Sequence, residues 1–192
     1  MKFTVIDLFS GSGGWIQAFP TDWNIYGYDI KDFKNKYPGK FSQCDLLTFS
    51  DFPETPDLIT ASPPCTEFSK ASFPPTWKSV INNPPNIPLA IELFQKAKNI
   101  IQQLKPKYWI IENVRGSQKY MGQANFHIGS RYFWSNMILQ YTGDGNDIYG
   151  KWRLRPSPDR AEIRSRIPRS ISETVRNYIL QQENDDPTHP PH

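Results

Sequence analysis

The run Phe3-Thr4-Val5-Ile6-Asp7-Leu8-Phe9, stopping at Ser10-Gly11-Ser12-Gly13-Gly14, constrains this chain more than any other stretch. β-Branched and apolar residues in succession belong to a strand buried on both faces, and such strands sit in parallel sheets. Four further apolar runs stop at polar residues: Asn24–Tyr28 at Asp29, Phe41–Cys44 at Asp45, Asp57–Ala61 at Ser62-Pro63-Pro64-Cys65, and Tyr108–Ile111 at Glu112-Asn113. Between the last two, Ala90, Leu93, Phe94, Ala97, Ile100, Ile101 and Leu104 recur at helical spacing, and Pro106 ends the pattern. Short helices are predicted for Trp15–Phe19, stopped by Pro20, and for Ser170–Leu180. Strands alternating with helices over short links predict a doubly wound, mostly parallel α/β sheet, in one domain spanning 1–180. Ligands of such sheets bind at the carboxyl ends of the strands. The glycine turn, Asp29, Asp45, Cys65 and Glu112 all fall at such ends.

Elsewhere the pattern is looser. From Thr66 to Pro88, Pro74-Pro75, Pro84-Pro85 and Pro88 predict a long loop, and loops of that length in compact domains tend to serve function. Ile128–Met137 and Ile148–Leu154 read as strands, and the polar residues 181–192 as a disordered tail. The 192 residues are 38% hydrophobic, enough for one real core. No apolar run reaches the length of a membrane span, and the N-terminus lacks a signal-peptide pattern, so no membrane partner is expected. Cys44 and Cys65 are too few for a disulfide framework and too far apart for a zinc knuckle, so neither a metal nor an oxidising compartment is expected. A cytoplasmic setting fits. The net charge is only +3, but Lys151 to Arg169 holds seven Lys/Arg against Asp159 and Glu162. Such a segment is either a phosphate-binding surface or a solvated charged face.

The residues at the strand ends narrow the chemistry. The turn Gly11-Ser12-Gly13-Gly14 lacks the third glycine of the dinucleotide fingerprint and the Gly-Lys-Ser/Thr of a P-loop, which argues against NAD and ATP. Asp29 can accept hydrogen bonds from both hydroxyls of a ribose, or cap the next turn. Asp45 can receive an exocyclic adenine amine, or serve as a turn residue. Cys65 is either a nucleophile, active as its thiolate, or a small buried hydrophobe, a role that suits Cys44 better. Glu112 can hold and donate a proton, or close a salt bridge.

Three of these stretches together resemble one family. Asp7-Leu8-Phe9-Ser10-Gly11-Ser12-Gly13-Gly14 is similar to the first signature motif of the cytosine-C5 DNA methyltransferases. Ser62-Pro63-Pro64-Cys65-Thr66-Glu67-Phe68-Ser69 resembles their nucleophile motif, and Ile111-Glu112-Asn113-Val114 their Glu-Asn-Val motif, in the family's order. The resemblance implies a Rossmann-like fold of the S-adenosylmethionine-dependent methyltransferase type, with that cofactor and DNA as substrate. It also implies roles. Phe9 would pack on the adenine, and Gly11 and Gly13 would let the methionine part approach the backbone. Asp29 would hold the ribose, Asp45 the adenine amine, and Pro64 would border the same pocket. Cys65 would attack C6 of a flipped cytosine while Glu112 bonds its N3 and exocyclic amine. The segment from Thr66 to Pro88 would be the closing lid.

The second half matches less. Where the family has Gln-x-Arg-x-Arg, this chain has His127-Ile128-Gly129-Ser130-Arg131, leaving Arg131 to contact the cytosine or steady Cys65. Ser170 takes the place of the final cofactor motif without its Gly-Asn, and Arg115 and Lys119 are expected near a phosphate. The stretch from Arg131 to Ser170 is too short for the family's target-recognition domain. Specificity would then be low, or come from a partner chain or self-association. Two alternatives accompany this expectation: the same chemistry on RNA, and a binding module without turnover.

Overall fold

The computed structural model describes residues 2–53, 55–141, 143 and 166–185. Seven strands form one sheet in the order β3-β2-β1-β4-β5-β7-β6: β1 (Thr4–Leu8), β2 (Asn24–Asp29), β3 (Lys40–Gln43), β4 (Leu58–Ala61), β5 (Tyr108–Val114), β6 (Phe126–Ile128) and β7 (Arg131–Ser135). β1 to β5 are parallel, while β7 runs antiparallel to both β5 and β6. The expected Rossmann-like α/β class holds.

Alternation within each strand sorts its side chains into two apolar layers. Val5, Leu58, Ile110 and Phe133 enter one, and Ile6, Ile59, Ile111 and Trp134 the other. One helix seals each layer. Helix α3 (Ile87–Leu104) lays Phe94, Ala97, Ile100 and Ile101 on the second. Helix α5 (Arg169–Asp185), which follows the one-turn α4 (Gln118–Met121), lays Ile171, Val175 and Ile179, all 0% exposed, on the first. Full burial of a side chain of this size contributes roughly 1.5–3 kcal/mol, so Val175→Asp would unseat α5. α3 starts at Asn86, whose side chain accepts from the Leu89 amide, and stops at Lys105 in the left-handed region.

Several expectations need correction. Trp15–Phe19 is a series of turns, because Ser172 of α5 takes over the backbone groups a helix would satisfy: its Oγ donates to the Trp15 carbonyl and accepts from the Ala18 amide. α5 begins at Arg169 and runs to Asp185, so the proposed domain end at 180 and the tail from 181 are set too early. β5 continues to Val114 because β7 pairs alongside it, which places Glu112 inside a strand. Ile128–Met137 is the turn and second arm of a hairpin, reversing at Gly129 with φ +59°. The Thr66–Pro88 segment contains two helices, α1 (Thr66–Ala71) and α2 (Lys78–Asn82), between its prolines. The expected strand at Ile148–Leu154 and most of Lys151–Arg169 lie outside the described residues.

β1 is the point where the strand order reverses: the chain moves outward to β2 and β3, then returns to β4 on the other side. In open sheets of this kind the ligand crevice lies at the carboxyl ends there. The glycine turn and the Pro-Pro-Cys are its two lips.

Candidate functional site

The first lip is a turn held open by its neighbour strand. Phe9 leaves β1 at φ +55°, an uncommon angle for a bulky side chain, so the surrounding bonds must enforce it. The Ser10 amide donates to the Tyr28 carbonyl (3.0 Å) and the Gly11 amide to Asp29 Oδ2 (2.9 Å). Asp29 Oδ1 accepts the Lys31 amide, so this carboxylate organises the turn as well as facing the crevice. Gly11 sits at φ +51°, and a Cβ there would meet nothing within 4 Å. That is the open approach a bound ligand needs. Gly13 differs: its φ is +83° and a Cβ would strike Pro38 at 2.8 Å, so packing already requires the glycine. Ser10 Oγ is buried with no hydrogen-bond partner among the described residues, an orphaned polar atom at the base of this cradle. The donor set and space fit a nucleoside-type cofactor.

Asp45 follows β3 and is exposed. Its Oδ1 caps a turn through the Leu47 amide, 3.0 Å away. The Cys44 amide donates to the Asp29 carbonyl at 2.9 Å, bringing the two acids to one end of the sheet. The Cys44 thiol records both: burial, then Asp45 and Asp29, push it up. Beneath the turn lies buried Asp7, which accepts from Thr60 Oγ1 (2.9 Å) and the Tyr37 hydroxyl (3.2 Å). Desolvation pushes its carboxyl up to about 8 against those two hydrogen bonds, so at neutral pH it is mostly protonated.

The second lip carries the reactive groups. Ala61 of β4 pairs with Ile111 of β5, which sets Ser62 beside Glu112. Asn113 Nδ2 donates to the Pro63 carbonyl at 3.0 Å and so pins the Pro-Pro-Cys to β5. Cys65 then caps the N-terminus of α1, half-buried, with its carbonyl accepting the Ser69 amide. Glu112, 6% exposed, receives Arg131 Nη1 at 2.9 Å on Oε1. Burial pushes Glu112 up, and Arg131 and a hydrogen bond from Ser62 hold it partly down. The Cys65 thiol is pushed up by burial first and by Glu112 second, with Arg131 and Ser69 opposing. Cys65, Glu112 and Arg131 therefore share one electrostatic environment. Because the thiolate is the nucleophile, addition from this site works against the upward push on Cys65, and Arg131 is the neighbouring cation that favours the thiolate.

Arg131 also ties the lips together. Its Nη2 donates to the Arg166 carbonyl (2.8 Å), and Arg166 Nη2 donates to Ser12 Oγ in the glycine turn (2.6 Å). Pro64 is exposed next to Cys65. Ser170 is turned elsewhere: its Oγ accepts the Tyr141 hydroxyl at 2.9 Å, and Ser172, two residues on, is the residue that meets the turn. Sequence reading missed Ser172, Arg166 and the bracing part of Asn113. The Asn was visible in its motif, whereas nothing local marks the other two. Lys119 lies over the Tyr120 ring at 5.6 Å. In the segment after Cys65, Glu67 accepts the Asn86 amide (2.6 Å) and Lys70 Nζ (2.9 Å), while Phe73 and Trp77 stack on each other half exposed. Among the described residues no group of three or more His, Cys, Asp and Glu is placed to hold a metal ion, and no helix is long and apolar enough to cross a membrane.

The sheet order and the ligand crevice at its switch point define a mixed α/β protein of Rossmann-like type. Residues 3–128 match the family described as C-5 cytosine-specific DNA methylase, and the chain belongs to that family. Arg131 and α5 lie beyond the matched residues. No curated protein matches. Among solved structures, the chain is similar to a protein described as a DNA modification methyltransferase encoded within an E. coli prophage (23% identity, TM-score 0.44, covering 63% of this chain and 35% of that one). It is also similar to the Entamoeba histolytica methyltransferase EhMeth (16%, TM-score 0.44, 75% and 55%). A Pyrococcus abyssi tRNA (uracil-54, C5)-methyltransferase in complex with S-adenosyl-L-homocysteine matches at 15% identity (TM-score 0.37, 62% and 26%). The chain thus spans between a quarter and just over half the length of these three.

Proposed function

We propose that this chain methylates C5 of cytosine in DNA through a covalent adduct on Cys65, with S-adenosylmethionine as donor. The observation that carries the reading is the placement of Cys65 beside a buried Glu112–Arg131 pair, across a switch-point crevice from an open glycine turn. S-adenosylmethionine, when bound, supplies an electrophilic methyl group on its sulfonium. Gly11, Asp29 and Asp45 would hold it, with Phe9 and Pro64 as apolar walls; Ser172 supports the turn from behind, and Ser170 is at most a distant contributor.

Cys65 gives its proton to water, and the thiolate pair bonds C6 as the C5=C6 π pair shifts toward N3, which leaves C5 nucleophilic. Glu112, carrying a proton, donates to N3 and offsets the charge that develops on the ring. Arg131 holds Glu112 in place and, being cationic, eases thiolate formation. After methyl transfer N3 returns its proton to Glu112, water takes the C5 proton, and that C–H pair re-forms C5=C6 as the S–C6 pair leaves on sulfur as the thiolate. The base must be extruded from the stack to reach this crevice, and the segment carrying Phe73 and Trp77 would close over it. Arg166 and Arg169 are the described members of the basic segment, a phosphate-binding role for which belongs to the same proposal. So does a separate specificity subunit or self-association, in the cytoplasm of a bacterial, archaeal or phage-infected cell.

Duplex DNA containing 5-fluorocytosine should form a covalent adduct with the chain, dependent on S-adenosylmethionine and lost in Cys65→Ser. Absence of any adduct on DNA would overturn the reading, and an adduct on tRNA alone would move the substrate to RNA.

A further inference from the structure

The link between Ser62 and Trp15 has a direction. Ser62 follows the last paired residue of β4 and lies beside Glu112. Its Oγ receives the indole Nε1 of Trp15 at 2.9 Å. Trp15 is 2% exposed, set edge-on to Phe133 (centroids 6.2 Å apart, 71° between planes), with its carbonyl taken by Ser172. An indole N–H can only donate, whereas a hydroxyl both donates and accepts. Ser62 must accept from Trp15, and its own proton is left for the Glu112 carboxyl group. The bonds therefore run one way, from Trp15 through Ser62 to Glu112. Arg131 donates to the same group from the β7 side.

We propose, building on the reaction above, that Ser62 turned by Trp15 is a positioning residue for Glu112. Two donors, Ser62 and Arg131, hold the carboxyl group in one orientation, so a proton carried by Glu112 sits on a lone pair that neither of them uses. That leaves it for the cytosine ring. The titratable and charged groups facing Glu112 are Cys65, from the loop after β4, and Arg131, from β7, itself anchored on the Arg166 carbonyl.

The test reads Glu112 through its neighbour thiol. The Glu112 charge raises the Cys65 thiol, so the rate of Cys65 alkylation by iodoacetamide against pH, in a Cys44→Ser background, should carry an inflection that Glu112→Gln removes. Ser62→Ala should move that inflection upward by about one to two pH units, the size of one hydrogen bond to a charged group. Trp15→Phe keeps an aromatic side chain but loses the second ring with the N–H, and should move it the same way by a smaller step. The double variant should match Ser62→Ala alone, since both act through one chain of bonds. Ser62→Thr should restore the original value. A purely structural role predicts lowered melting temperature with the inflection unmoved, and that result would overturn the proposal. So would additive shifts, or a profile that Glu112→Gln leaves unchanged. Alkylation needs no turnover, so the measurement stands even if the 5-fluorocytosine experiment fails.

Discussion

The two lips of the crevice are built on opposite principles. On the glycine side, the groups offered to a ligand are backbone and half-exposed or exposed carboxylates, positioned by Asp29 accepting the Gly11 amide and by positive φ angles at Phe9 and Gly11. On the cysteine side, Glu112 and Arg131 are nearly buried, paired at 2.9 Å, and the thiol and carboxyl groups are both displaced from their usual ranges. Binding a polar ligand needs room and pre-set donors and acceptors. Moving a proton needs groups whose two states are close in energy, which burial provides. The division is thus between a side that holds and a side that reacts.

Substitutions can break that division. Glu112→Gln keeps the shape and removes the exchangeable proton; turnover should fall by roughly 10²–10⁴-fold with little change in cofactor affinity. Steady-state kinetics beside calorimetry would show it, and a comparable loss of affinity would mean that the two lips are not separate. Asp29→Ala should do the reverse, weakening S-adenosylmethionine by about tenfold or more while turnover at saturation changes less. Equal affinity by calorimetry would remove Asp29 from the binding side.

The smallest effect tests the buried floor. Asp7 sits at about 8 in the folded chain against an unfolded value of 3.8, so the folded state retains a proton that the unfolded chain has released. Stability from this group is present in full below pH 3.8 and is lost progressively as pH rises towards 8. The slope is at most about 1.4 kcal/mol per pH unit. Asp7→Asn mimics the neutral form and should flatten that part of the pH–stability curve measured by urea unfolding. An unchanged slope would mean that Asp7 ionises in place.

Much of this was legible in the chain itself, and the reasons are specific. The apolar runs at 4–8, 58–61 and 108–111 serve two buried layers at once, which leaves no alternation to mislead, so the parallel strands could be read directly, and the ends of the first two with them. The misplaced pieces depend on partners far along the sequence. The turns at 15–19 look helical until Ser172 supplies their bonds, from more than 150 positions away. Glu112 looks terminal until β7 extends β5, and the inward place of Ser172 shows only in the phase of α5. The Ser62–Trp15 bond joins the nucleophile motif to the segment read as a short helix, with no local sign that they meet.

The helix that covers the first apolar layer comes late in the chain, and none of the links from β1 to β4 supplies a helix to stand in for it. During synthesis, Val5, Leu58, Ile110 and their neighbours would emerge from the ribosome long before Arg169–Asp185 can cover them. Until that helix is made, this face has only side chains of the early links, such as Trp15, Ile16, Phe19 and Tyr37, to cover it. Chaperone demand, and not only equilibrium stability, should consequently respond to changes at Ile171, Val175 and Ile179.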